Sequence, residues 1–474
     1  MDARLAIPSL FLACTFFSNT VFGQWKATPM LKPSELMDRP TNVANLPDGM
    51  MIITERFKGR LRLFDPKTGK LDPRPFTTVP STFPKDERGL IGVAVSRDFS
   101  KAPYVFVYQH HNNTKGQVVG RVIRYTAVKK NGIYVGTNMK VLKDDIFSFW
   151  SRAGGRMSMG PDNKLYVSVG DSGQPQRSQD MRAFEWSGKV NRVNLDGSVP
   201  SDNPFGKTKY FYSVGIRNGF GLTWHPVLGQ LYESENGPTS NDELQILRPG
   251  GNFGWPNELG NQGKPGYDKP IMTWTPTIAP TGLAFAYSKA YPASVQLDLF
   301  LCDYNNNQVR ILKMAGNPAD KVISTTTIPG IFGPTDCIQA SDGKIYVISH
   351  GTGNIYRLDW TGKAPTLPDL TNKGTPKIGN KNILTQRGRP GSFMVMMIGV
   401  PLAPPLSTLW GKLEVKNAAF IQPFGPADAT GIYSLVYPIP NNQALKGLKF
   451  RIQTLELKLD LSGAMTNPID ITIQ

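Results

Sequence analysis

The chain has 474 residues, 40% hydrophobic, 10% aromatic and 19% charged, with 47 Gly and 39 Pro. That apolar content suits a large core and excludes a disordered or collagen-like chain, while the Gly and Pro density excludes long coiled coils. The formal net charge of +17 is spread without a Lys/Arg block or nucleic-acid motif, so it reads as a solubility feature and no nucleic-acid partner is expected.

Residues 1–23, MDARLAIPSLFLACTFFSNTVFG, read as a secretory signal: an early Arg4, a short apolar run broken by Pro8, and small residues before polar Gln24. A lipoprotein cleavage at Cys14 ranks second, because the residues after it stay apolar. No other run approaches membrane length, so an exported chain without a membrane span is expected. The remaining cysteines, Cys302 and Cys337, are compatible with one disulfide or with two buried thiols.

From Trp25 to Trp360 one pattern recurs: an apolar strand, a turn rich in Asp, Gly or Pro, a second apolar strand, a polar turn and a third strand. It appears at Asn42–Asp65, Gly89–Tyr125, Gly155–Leu195, Asn218–Leu247, Thr281–Leu312 and Thr335–Leu358. Six units starting roughly 45 to 65 residues apart have the period of propeller blades. A small antiparallel sheet cannot bury its own face, so the expected all-β fold is a six-bladed β-propeller over 24–360. Residues 361–377 (TGKAPTLPDLTNKGTPK) read as a linker. Residues 378–474 hold about six strand-like segments, including the alternating KFRIQTLELKLDL, and read as a small β-sandwich for attachment or stabilisation.

No P-loop, G-x-G-x-x-G, G-x-S-x-G, H-E-x-x-H or C-x-x-C is present. Of the four His, adjacent His110 and His111 face opposite sides of a strand, so they cannot share an ion, and His225 is expected in a surface turn. The informative stretch is VGIRNGFGLTWHPVLGQLYESENGPTSNDELQILRPGGNFGWP, residues 214–256. With Glu87-Arg88-Gly89-Leu90-Ile91-Gly92, Gly154-Gly155-Arg156-Met157, Gly170-Asp171 and Asp202-Asn203-Pro204-Phe205, it resembles the glucose/sorbosone dehydrogenase family over roughly Pro40 to Leu358.

The resemblance implies an oxidoreductase that binds pyrroloquinoline quinone (PQQ) and calcium and oxidises a sugar. Arg217 and Asn218 match the pair that contacts the cofactor, suited to a tricarboxylate quinone. Gly237 and Pro238 match the backbone carbonyls that ligate calcium, a hard cation wanting oxygen. Glu87 matches a position near the sugar, and Asp242 and Glu243 match a region that holds a structural calcium in some relatives.

The same resemblance exposes departures. The general-base His, one residue ahead of Gly-Gly-Arg, is Arg152 here, and a guanidinium cannot take a proton near pH 7. The cofactor-anchoring Lys falls near Asn305, and two Arg fall near Gly333 and Thr335. Charge-assisted contacts of about 1.5–3 kcal/mol each are therefore expected to be lost. The catalytic residue is left unassigned, and a Cys302–Cys337 disulfide bracing the emptied positions is a further expectation. Two functions follow: a secreted PQQ- and calcium-dependent aldose or sorbosone dehydrogenase, or a non-catalytic propeller that binds a glycan or a surface partner.

Overall fold

The computed structural model describes residues 20–22, 24–315 and 319–362, and beyond them 369–373, 381–388, 393–408, 411–426, 432–439, 441, 443, 446–457, 463–466 and 469–474. The expected leader lies outside these residues except for Thr20–Phe22, which pairs with Trp25–Ala27.

Six antiparallel sheets follow one another along residues 25–360. Their first strands are Pro40–Asn45, Leu90–Val95, Arg156–Met159, Gly219–Trp224, Pro280–Phe285 and Pro334–Gln339. Their second strands are Met51–Glu55, Tyr104–Asn112, Leu165–Val169, Leu231–Glu235, Leu299–Asp303 and Ile345–Ser349. Third strands and outer strands of varied length complete each sheet. In the sixth sheet the outer strand comes from the other end of the chain: Trp25–Pro29 pairs with Tyr356–Trp360.

The second strands are buried almost throughout and mostly apolar because both of their faces are covered. Along Met51–Glu55, Ile52 joins a cluster shared with the second sheet, while Met51 and Ile53 join one shared with the sixth. Val105 and Val107 likewise face the first sheet, and Phe106 and Tyr108 the third. Every consecutive pair of sheets has such a cluster, the sixth and first included.

The first strands lie against one another in the same cyclic order. Three of them open Pro-Thr, and each Thr hydroxyl bonds the next sheet: Thr281 Oγ1 to Pro334 O at 2.8 Å, Thr335 Oγ1 to Pro40 O at 3.0 Å, and Thr41 Oγ1 to Ile91 O at 3.0 Å. The approach is close enough to require glycine. A Cβ on Gly92 would stand 2.1 Å from Gly155 O, and one on Gly282 would stand 2.3 Å from the Cα of Asp336.

Cys302 and Cys337 sit in the cluster between the fifth and sixth sheets as buried free thiols. The bracing disulfide is not formed. His225 also departs from expectation. It is 1% exposed, with its ring 4.7 Å from Phe285 and its Nδ1 accepting from Val227 N and Leu228 N. The turn folds back over the apolar interface between the fourth and fifth sheets.

Within the stretch read as a linker, Asp369–Lys373 forms a strand paired with Lys381–Arg387, which in turn pairs with Ile432–Pro438. A second sheet holds Phe393–Thr408, Gly411–Pro426, Lys449–Leu457, Gly463–Met465 and Ile469–Thr472. Leu384 from the first sheet and Met394, Met396, Ile452 and Ile471 from the second bury one common cluster.

Candidate active site

Where the first strands begin, a cavity of about 270 Å³ opens, and all six sheets contribute to it. Thr41, Ile91, Phe220, Thr281 and Thr335 line it, each the second residue of its sheet's first strand. Arg56, Asn236, Tyr304 and His350 also line it, each directly following the last residue of its sheet's second strand. Glu87, Ala153 and Gly154 come from the loops entering the second and third sheets.

Arg156, only 3% exposed, forms part of the lining. Its guanidinium donates to Phe220 O at 2.5 Å, Thr41 O at 2.8 Å and Thr335 O at 3.0 Å, and pairs with Asp336 at 3.0 Å. One side chain thus ties the third sheet to the fourth, first and sixth.

Of the residues expected at the site, Glu87 and Asn218 line the cavity. The Asn218 amide has no hydrogen-bond partner among the described residues. Arg217, Gly237 and Pro238 do not line the cavity. Arg217 is 8% exposed, and its Nη1 donates to Asn236 O at 2.6 Å and Gly237 O at 2.7 Å. Its Nε is buried without a partner, and its Cζ lies 5.4 Å from the Trp255 ring. Burial holds the Arg217 guanidinium below its ordinary pKa, with Arg152 adding to the effect.

Arg152 points away from any role as a base. Its Nε pairs at 2.7 Å with Asp171, a fully buried carboxylate that also accepts from Trp255 Nε1 at 2.9 Å and Gly173 N at 2.8 Å. The Arg152 backbone N–H donates to Glu87 Oε2. Asn305 is turned to Thr277 O at 3.1 Å, and Thr335 sits on the cavity wall as a hydroxyl.

Positive charge enters instead from Arg56, which the sequence reading missed. Arg56 Nε donates to Arg88 O at 3.0 Å, its Cζ lies 4.8 Å from the Phe57 ring, and its Nη2 is buried without a partner. Burial pulls its pKa down to about 10. Its Nη1 lies 3.1 Å from His350 Nε2, and since a guanidinium only donates, that imidazole nitrogen accepts. Burial, then Arg56 and Arg39, lower the His350 pKa to about 4, so the ring is neutral near pH 7. The signal for Arg56, Tyr304 and His350 lay in the repeat itself, since in four of the six sheets the residue after the second strand lines the cavity.

Behind Arg217 lie buried carboxylates already committed to protein donors. Asp242 accepts Gly237 N at 2.7 Å on one oxygen, and Ile278 N at 2.6 Å and Ala279 N at 2.7 Å on the other. Glu243 accepts Gly260 N and Gln245 Nε2, both at 2.7 Å, and burial, followed by Glu235, raises its pKa to about 9. Among the described residues no group of three or more His, Cys, Asp or Glu could hold a metal ion.

The site suits a flat anionic quinone. The unpartnered Arg56 Nη2 and Asn218 amide face or border a cavity of small-molecule size, and Arg217 has no carboxylate in ion-pair contact among the described residues. It does not suit calcium at Gly237: that carbonyl and its neighbour at Asn236 already accept from a cation, and both oxygens of the adjacent Asp242 already accept backbone N–H groups.

The glucose/sorbosone dehydrogenase family profile matches residues 37–357. Quinoprotein glucose dehydrogenase B of Acinetobacter calcoaceticus is 31% identical over 301 residues, covering 56% of this chain and 62% of that protein. Aldose sugar dehydrogenase YliI of Escherichia coli is 27% identical over 334 residues, covering 66% and 87%. Among solved structures, the PQQ-bound form of aldose sugar dehydrogenase from Streptomyces coelicolor superposes with a TM-score of 0.60 at 25% identity, covering 71% of this chain and 98% of that one. The chain belongs to the glucose/sorbosone dehydrogenase family.

Proposed function

We propose that the chain is an exported six-bladed β-propeller (24–360) with a linker (361–377) and a C-terminal β-sandwich (378–474), which oxidises an aldose or sorbosone hydroxyl in its central cavity with PQQ as the acceptor. The observation that carries the reading is the convergence on one cavity of polar groups lacking protein partners: the Asn218 amide, Arg56 Nη2 and one oxygen of Glu87. Arg56 and Arg217 supply positive charge for the cofactor's carboxylates, and Asn218 supplies an amide for its ring oxygens. Bound there, the quinone would accept a hydride from the sugar carbon.

The proton that leaves with that hydride needs an acceptor. Arg152 stays charged and paired with Asp171. His350 spends its Nε2 lone pair on Arg56. Glu87 is the remaining proton acceptor on the cavity lining, and with Oε2 held by the Arg152 N–H its other oxygen is free for the sugar hydroxyl. In this reading Glu87 both orients the substrate and takes its proton.

A second reading, a non-catalytic propeller that binds a glycan, is favoured by the Arg152–Asp171 pair, which fixes a cation where the family's base is expected. Titrating PQQ into the purified full chain, with dye reduction followed over several aldoses, separates the two. The dehydrogenase reading expects cofactor absorbance changes in both the native chain and Glu87→Gln, and turnover in the native chain alone, with the variant down about 10²–10⁴-fold. No turnover together with no cofactor absorbance change in the native chain would remove the dehydrogenase reading.

A further inference from the structure

We propose that the Arg217 guanidinium stands in place of a divalent cation beside the cavity, so that this chain keeps its site organised without calcium at Gly237-Pro238. The two backbone carbonyls at the start of that turn, Asn236 O and Gly237 O, converge on a single nitrogen, Nη1, at 2.6 and 2.7 Å. A calcium ion would need six to eight oxygens at 2.3–2.6 Å. The carboxylates around the turn are already engaged by protein donors. Asp242 gives both oxygens to backbone N–H groups, Asp171 is divided among Arg152, Gly173 and Trp255, and Glu235 Oε1 accepts Arg217 N.

Charge is balanced within the protein: burial and then Arg152 lower the Arg217 pKa, while the buried carboxylates Asp171, Glu235 and Asp242 raise it, so the guanidinium already serves these carboxylates as their cation. The guanidinium also keeps two features of the ion it replaces: a permanent positive charge and donor geometry suited to carbonyl and carboxylate oxygens. This inference concerns the protein alone and does not rest on the quinone, so a catalytically inactive chain would leave it standing.

Terbium(III), an oxygen-seeking stand-in for calcium whose emission is excited through a nearby indole, reads the site directly. Trp255 lies 5.4 Å from the Arg217 Cζ. The expected result is no Trp255-dependent emission from the full native chain, and emission from Arg217→Gln that calcium quenches and Trp255→Phe removes. The apparent terbium affinity of Arg217→Gln should be about tenfold or more tighter than the native chain's. Emission from the native chain that disappears in Trp255→Phe would overturn the proposal, and this pair decides it even where Arg217→Gln misfolds. A folded Arg217→Gln as dark as the native chain would overturn it equally, since Arg217 would then not be what excludes the ion.

Discussion

Arg156→Met tests whether one guanidinium holds the cavity and the sheet ring together. The native side chain donates to carbonyls of Phe220, Thr41 and Thr335 and pairs with Asp336 at 3.0 Å, all at 3% exposure. Methionine fills much of the volume but leaves Asp336 as a buried carboxylate with no cation, retaining Asn42 Nδ2 at 2.6 Å, Val43 N at 3.0 Å and the Cys337 backbone. Breaking a buried pair from one side costs about 3–5 kcal/mol. With an unfolding entropy of ~2.1 cal/mol/K per residue over the roughly 340 residues of the six sheets, that is a fall of about 4–7 °C in Tm. Scanning fluorimetry and circular dichroism at neutral pH measure it. Arg156→Met with Asp336→Asn should recover most of the loss, because a neutral pair has no charge left to compensate. A single variant melting within about 1 °C of the native chain, or a double variant no better than the single, would refute the reasoning.

Restoring a base should rescue the Glu87→Gln variant: Arg152→His on that background would place an imidazole beside Asp171, and dye-linked turnover should rise about tenfold or more. Arg56→Met should weaken PQQ binding by about ten- to a hundredfold in an absorbance titration, the loss of one charge-assisted contact. For pH, His350 titrates near 4 in the folded chain against 6.5 when unperturbed, and His110, fully buried beside Gly89 O, near 3. The unfolded chain therefore binds more protons between those values, so stability is full above about pH 6.5 and falls as pH drops toward 4 and below. A Tm–pH series should show that decline, and His350→Gln should flatten its upper part.

The sheets were legible because four of their second strands carry apolar runs, MIIT, YVFVY, LFLC and IYVI, bounded by turn residues. Only strands covered on both faces read this way, so repeats of such runs pointed to stacked sheets. The outer strands were not legible for the complementary reason. Lys321–Pro329 is mostly exposed and Lys70–Leu71 has two residues, so neither carries an apolar period. Pairing of Trp25–Pro29 with Tyr356–Trp360 spans about 330 residues and has no local signal at all. At the site, Glu87 and Asn218 were found through their motifs, whereas Arg56 and His350 sit in unremarkable sequence and gain meaning only from their place in the ring.

That distinction bears on how the missing anchors should be weighed. Subtracting cations position by position, at Asn305, Gly333 and Thr335, assumes that each charge must come from one fixed place. Four of the six sheets, however, present the residue after their second strand to the same cavity, so a charge absent from the sixth sheet can be supplied by the first. Arg56 follows Glu55 as His350 follows Ser349, and their side chains meet at 3.1 Å although 294 residues separate them. The cavity therefore has a cationic wall that the first sheet supplies. Recognition of an anionic ligand depends on the field summed over the lining, and that sum, more than agreement at any one position, decides whether a cofactor is held.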